Sequence, residues 1–208
     1  LFGRDWSLYF SAPPDYRHST DRLPWLILAG GVLSSILLFM LTRGYVRNTH
    51  ARLKYAQELE YQATHDALTN LPNRSALYAR LGSLLSGERV PFALLMMDLD
   101  GFKEVNDTLG HHSGDMLLRQ LGPRILAAVG PQDLLVRLGG DEFALVIVPA
   151  GDVEDVMRQA EKLLHLVQQP FELEDIEVQV DASIGIALAP AHGEDSSLLM
   201  RHADVAMY

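Results

Sequence analysis

The sequence contains no cysteine. That removes disulfides, thiol nucleophiles and thiolate-bound zinc from the chemistry open to it. Aromatic residues are sparse at 8%, and Lys and Arg number 17 against 27 Asp and Glu. The shortage of positive charge is uneven: residues 1–64 carry seven basic against five acidic side chains, leaving ten against 22 for residues 65–208. So acidic a second part offers no grip to a phosphate backbone, and nucleic acid is excluded as a partner. The same balance suits a site that gathers divalent cations, although a soluble acidic surface accounts for most of these charges. With 48% apolar and 21% charged residues over 208 positions, the chain can build one core of ordinary size plus an appendage. It opens on Leu1 and stops at Tyr208 within a helical pattern, so it reads as a piece of a longer protein.

One stretch lacks charge altogether. Residues 23–42 (LPWLILAGGVLSSILLFMLT) lie between Arg22 and Arg43, and these 20 residues, as a helix, span a bilayer core. The flank after the run carries Arg43, Arg47, Arg52 and Lys54, whereas the flank before it carries Arg17 and Arg22. Positive charge collects on the cytoplasmic side, so everything after residue 43 is placed in the cytoplasm and the span in the inner membrane. Residues 43–64 are rich in helix formers, with Val46, Thr49, Leu53 and Ala56 recurring at three- and four-residue intervals. That spacing predicts a juxtamembrane helix able to pair with a copy of itself; a plain exposed connector is the alternative.

Beyond residue 64 strands and helices alternate. Pro72 is expected to open a helix that buries Leu77, Leu81, Leu84 and Leu85 and stops at Gly87. Pro91–Met97 reads as a buried strand, Ser113–Val129 as an amphipathic helix, and Leu134–Leu138 with Phe143–Val148 as a hairpin around Gly139 and Gly140. A helix over Asp152–Gln168, a strand over Val178–Leu188 and a helix from Ser197 complete the pattern. The fold class that follows is α/β (α+β), helices packed on an antiparallel-containing sheet.

Two acidic groups stand at strand ends. Asp98 and Asp100 follow PFALLMM, and Asp141 with Glu142 occupies the glycine hairpin. Like charges beside apolar strands resist ionisation, and a hard divalent cation with oxygen ligands removes that cost; Mg²⁺ typically takes one or two carboxylates plus substrate phosphates. Each pair taken alone is equally a solvated turn. Gly101, Phe102 and Lys103 form a glycine turn into a short helix, whose N–H groups and lysine suit anionic oxygens. Asn106 and Asp115 carry the donors and acceptors needed to read a guanine edge, and either, like Ser113, could instead cap a helix.

The segments HDALTNLPNR (65–74), MMDLDGFKEVNDTLGHHSGDMLL (96–118), RLGGDEFALV (137–146), SIGIALAP (183–190) and RHADVAMY (201–208) together resemble the GGDEF family of diguanylate cyclases. The resemblance implies a nucleotidyl-cyclase-like palm, with a central, mostly antiparallel sheet, that condenses two GTP into cyclic di-GMP and two pyrophosphates. It implies Mg²⁺ or Mn²⁺ held by Asp98, the carbonyl of Leu99 and Asp141. Asp141 and Glu142 are the catalytic acids it implies. Gly101, Phe102 and Lys103 match the phosphate turn, Asn106 and Asp115 the guanine pair, and His111 a substrate contact, while Gly139 and Gly140 let the hairpin approach the nucleotide. A homodimer holding one GTP per subunit is implied as well. The resemblance also marks two departures: Gly130 replaces the arginine of the family's Arg-x-x-Asp product site, leaving Asp133, and the phosphate-binding residues expected after the last helix lie beyond Tyr208. Residues 1–22 resemble the end of a periplasmic CHASE-type sensor, and LTNLPNR with QPFELEDIEVQVDASIGIALAP resembles GGDEF domains that precede an EAL phosphodiesterase. A GTP-binding module that regulates such a phosphodiesterase without chemistry is the alternative function.

Overall fold

The helix α1 runs Leu23–Thr64 in a computed structural model that describes residues 7–11, 22–87 and 90–207. Cα packing divides the chain into two units, residues 1–57 and 58–208. In the first unit, Leu23–Tyr45 has a mean hydropathy of 2.1, none of it buried, and is the one segment among the described residues long and apolar enough to cross a membrane. Its hydroxyls are satisfied within the helix: Ser35 donates to the Gly31 carbonyl and Thr42 to that of Leu38. Internal satisfaction of polar groups is what a helix in hydrocarbon requires. Leu8, Tyr9 and Phe10 are exposed and outside regular structure. Residues 1–6 and 12–21 of the sensor-like segment, and the side chains of Val46, Thr49, Leu53 and Ala56, lie outside the described residues.

The second unit follows the order α2 (Arg74–Ser86), β1 (Phe92–Asp100), α3 (Phe102–Leu109), α4 (His111–Leu126), β2 (Leu134–Gly139), β3 (Glu142–Ile147), α5 (Val153–Val167), β4 (Phe171–Leu173), β5 (Ile176–Val178), β6 (Asp181–Ala189) and α6 (Ser196–Val205). The sheet has the order β2-β3-β1-β6, and every pairing is antiparallel. Alternation along β1 explains its unbroken apolar run. Ala93, Leu95, Met97 and Leu99 enter one core with Leu117, Leu121, Val156 and Leu163 of α4 and α5, whereas Phe92, Leu94 and Met96 enter another with Leu77, Leu81, Leu199 and Ala203 of α2 and α6. A central strand buried on both faces has no polar side to show.

Several boundaries differ from expectation, each for a local reason. Pro72 does not open α2: it bridges to His65, and its carbonyl accepts from the Arg137 N–H. The helix starts after Asn73, whose Oδ1 accepts from the amides of Ser75 and Ala76 while its Nδ2 donates to the Ala63 carbonyl. An Asn side chain satisfying the first free amides sets the start more firmly than the proline does. The helix expected from Ser113 begins at His111, after Gly110, and ends at Leu126. The single strand expected over 178–188 is two, because Phe171–Leu173 and Ile176–Val178 form their own small hairpin before β6 begins at Asp181.

Candidate active site at the glycine hairpin

β1 does not stop before its acids. The strand carries through Asp98 to Asp100, and Asp98 pairs with Glu142 on one side and Ser183 on the other. Directly opposed residues of an antiparallel sheet share a face, so Glu142, Asp98 and Ser183 form a row on the side covered by α2 and α6. Asp100 accepts from the Ser183 hydroxyl at 3.0 Å. The ladder between β1 and β3 ends at Asp98 and Glu142, leaving Leu99 paired to β6 alone. The Leu99 side chain is buried, so only its backbone oxygen is available as a ligand.

The hairpin that carries the other acids is tight. Gly139 and Gly140 have φ of 141° and 56°, and the register shifts between Arg137 and Gly139. Those dihedrals are open to glycine and strained for side-chain-bearing residues. Arg137, 9% exposed, braces the turn from within: its Nε and Nη2 donate to the Gly140 carbonyl at 3.2 and 2.9 Å, and its Nη1 donates to Asp66 Oδ1 at 2.7 Å. Glu142 is paired with Arg74 at 3.5 Å.

The electrostatics agree with this crowding. Burial pushes the Asp98 carboxyl above its ordinary value, and the charges of Asp141, Glu142 and Asp100 push it further. Acids gathered around Asp98 at a sheet end offer oxygen donors of the kind a hard cation takes. Among the described residues no three His, Cys, Asp or Glu side chains converge into a ready-made metal cage. A pair of carboxylates completed by substrate phosphates is the arrangement these residues fit, and it matches the way Mg²⁺ is usually held.

The remaining candidates lie along α3 and α4. Gly101, with φ of 80°, turns β1 directly into α3, whose first amides have no side-chain cap. Lys103 is exposed beside that turn. Phe102 departs from the simplest expectation: its ring is buried in the core, so its backbone amide is the part facing the turn's chemistry. Asn106 and Asp115 are not helix caps, since one lies inside α3 and the other inside α4. The two helices meet where Asn106 lies against Gly114, the residue before Asp115, and a Cβ at Gly114 would collide with Asn106 Oδ1. His111 is exposed at the start of α4.

Sequence reasoning missed Asp66, Arg74, Arg137 and Gly114 as parts of this region. A charged residue inside LLVRLG was a usable signal, because an arginine in an otherwise apolar strand needs a buried partner.

Antiparallel strands that hold an acid-bearing glycine hairpin beside a strand-end carboxylate define a candidate site for a cation and an anionic ligand. The chain belongs to the GGDEF family: the model for the diguanylate cyclase GGDEF domain matches residues 63–208. It is 48% identical over 155 residues to the bifunctional diguanylate cyclase/cyclic di-GMP phosphodiesterase MucR of Pseudomonas aeruginosa, covering 73% of this chain and 22% of that protein. It is 42% identical over 154 residues to the diguanylate cyclase TpbB of the same species, covering 72% of this chain and 35% of TpbB. The solved GGDEF domain of TpbB superposes with a TM-score of 0.66 at 41% identity, over 69% of this chain and 86% of that one. The chain thus spans about a third or less of these curated relatives' length.

Proposed function

We propose that residues 65–208 form a diguanylate cyclase domain that joins two GTP into cyclic di-GMP and two pyrophosphates. The observation that carries this is the row of Asp98 and Glu142 on paired strands, with Asp141 in the adjoining turn. In this reading Asn106 and Asp115 hold the guanine, and the amides after Gly101, with Lys103, hold the phosphates. In the same reading His111, exposed at the start of α4, contacts that nucleotide. Mg²⁺ or Mn²⁺, held by Asp98, Asp141 and the Leu99 carbonyl, supplies charge neutralisation on the phosphates.

Two subunits each present one GTP. The 3′-oxygen of one nucleotide forms a bond to the α-phosphorus of the other, the bond from that phosphorus to the β-phosphate bridging oxygen breaks, and pyrophosphate leaves. Asp141 takes the proton of the 3′-hydroxyl, and Glu142 supports the substrate end of the site. Positioning supplies much of the rate in such a transfer, and a braced hairpin serves it.

The domain is read as cytoplasmic, anchored in the inner membrane by residues 23–42, after the end of a periplasmic sensor segment and a signalling helix over residues 43–64. The apolar, exposed helix with its satisfied hydroxyls supports that placement. A reporter fused after residue 48 is expected to signal from the cytoplasm, and a periplasmic signal would reverse the topology. For the activity, the chain extended to its full cytoplasmic region is incubated with GTP and Mg²⁺ and the products are separated. Cyclic di-GMP is expected, and Asp141→Ala is expected to abolish it while leaving the fold intact. GTP binding without product would support the regulatory module instead.

A further inference from the structure

The motif LTNLPNR ends in Arg74, which has no part in the proposed chemistry. Arg74 is the first residue of α2, and its guanidinium reaches Glu142 Oε2 at 3.5 Å, both side chains being about half exposed (54% and 47%). An ion pair that open to water adds little to folding. Its setting is unusual, however. Glu142 is paired directly with Asp98 across β3 and β1, and Asp141 precedes it in the hairpin. Arg74 places a positive charge on the rim of that group, from a helix whose start is fixed independently by the Asn73 cap.

We infer that Arg74 is the counter-ion of the candidate metal site: it holds the Glu142 carboxylate aside and offsets the acids' charge, then turns to the substrate phosphates when a cation takes its place. The inference rests on the proposed nucleotide site and adds a positioning residue to it. Two consequences of opposite sign follow from simple electrostatics. Removing the positive charge leaves the acids more negative, so a bare cation binds more tightly. Removing it also takes away a guanidinium suited to phosphate oxygens, so GTP binds more weakly. A purely structural contact produces neither change.

The test uses the full chain in detergent, with Mn²⁺ as the probe, followed by electron paramagnetic resonance without nucleotide, and then GTP and guanosine binding measured by calorimetry. Arg74→Gln is expected to tighten Mn²⁺ binding about three- to tenfold at low salt, with the gain shrinking as ionic strength rises. The same variant is expected to weaken GTP about three- to tenfold while leaving guanosine unchanged. Arg74→Lys, which keeps the charge, retains Mn²⁺ binding at the unmodified level and recovers part of the GTP affinity. Unchanged or weaker Mn²⁺ binding in Arg74→Gln, or unchanged GTP affinity, overturns the inference. Asp98→Asn separates the two levels of argument. If it leaves Mn²⁺ binding intact, the metal-site reading itself is wrong; if it abolishes binding while Arg74→Gln changes nothing, only the role of Arg74 falls.

Discussion

Arg137 and Asp66 lie 71 positions apart in sequence and meet in a 2.7 Å ion pair. Burial alone would raise the Asp66 carboxyl, but hydrogen bonds from Thr69 and Arg137, with the charge of Arg137, outweigh it and hold it below its ordinary value. The pair ties the loop after α1 to the hairpin carrying Asp141, since the same guanidinium donates to the Gly140 carbonyl. Removing either partner leaves a largely buried charge poorly compensated. Asp66→Ala and Arg137→Ala are each expected to cost about 2–4 kcal/mol by denaturant titration. The double variant should fall short of the sum by about 1–2 kcal/mol. Additive losses would show that the residues do not act as a pair.

Stability and function should oppose each other at Asp98. Its folded-state pKa is raised, so the folded form binds the proton more readily than the unfolded chain. Its contribution to stability is therefore full below the ordinary carboxylate value and is lost as pH rises through the raised one. Asp98→Asn removes the repulsion and is expected to raise the melting temperature at neutral pH by roughly 1–3 °C while abolishing product formation. A lowered melting temperature would show that the carboxylate makes stabilising contacts in the folded protein. For Asp66 the sign is reversed: its contribution is present above the ordinary value and is lost as pH falls through the lowered one.

Gly114→Ala tests the proposed guanine pocket without touching a proposed ligand. A Cβ there meets Asn106 Oδ1 and lies 3.3 Å from a Phe102 ring carbon. The Asn106 amide, at the end of a short side chain, is the part that moves. GTP affinity is expected to fall about tenfold with the secondary structure unchanged, in line with the loss of one or two well-aligned hydrogen bonds. Equal loss of affinity for a nucleotide lacking the guanine amino group would place the damage elsewhere.

Product feedback should be weak. Asp133, the surviving half of the family's product site, is engaged locally: Oδ2 accepts from the Gly130 amide at 2.7 Å and Oδ1 from the Val148 amide at 3.0 Å. Gly130 has no side chain to grip a phosphate or stack on a base, as arginine does. Initial rates measured against rising cyclic di-GMP are expected to change little, with Gly130→Arg run in parallel. Strong non-competitive inhibition of the unmodified protein at low micromolar product would contradict this.

The candidate site positions were readable because they sit where the chain changes its period. Asp98, Asp141 and Glu142 interrupt apolar runs that alternate or stay continuously buried, and glycines beside them mark turns that other residues do not make easily. The charge-free run over residues 23–42 is likewise legible from composition alone, because length and hydropathy need no partner. Boundaries set by local caps were harder. Asn73 outcompetes Pro72 as the start of α2, and that follows from where its amide finds the carbonyl of Ala63 and the free amides of α2.

Sequence by itself determined the strand order's raw material: which segments are buried, which acids lie beside them, and which family the arrangement resembles. Only the tertiary structure decided which distant residues face each other. Asp98 opposite Glu142, Arg137 against Asp66, Arg74 beside Glu142 and Asn106 against Gly114 are set by register and helix docking. The physical reason is that periodicity reports the environment of a side chain and carries no information about its partner. A one-residue change of register would move Glu142 of β3 to the opposite face while leaving the local pattern of that strand unaltered.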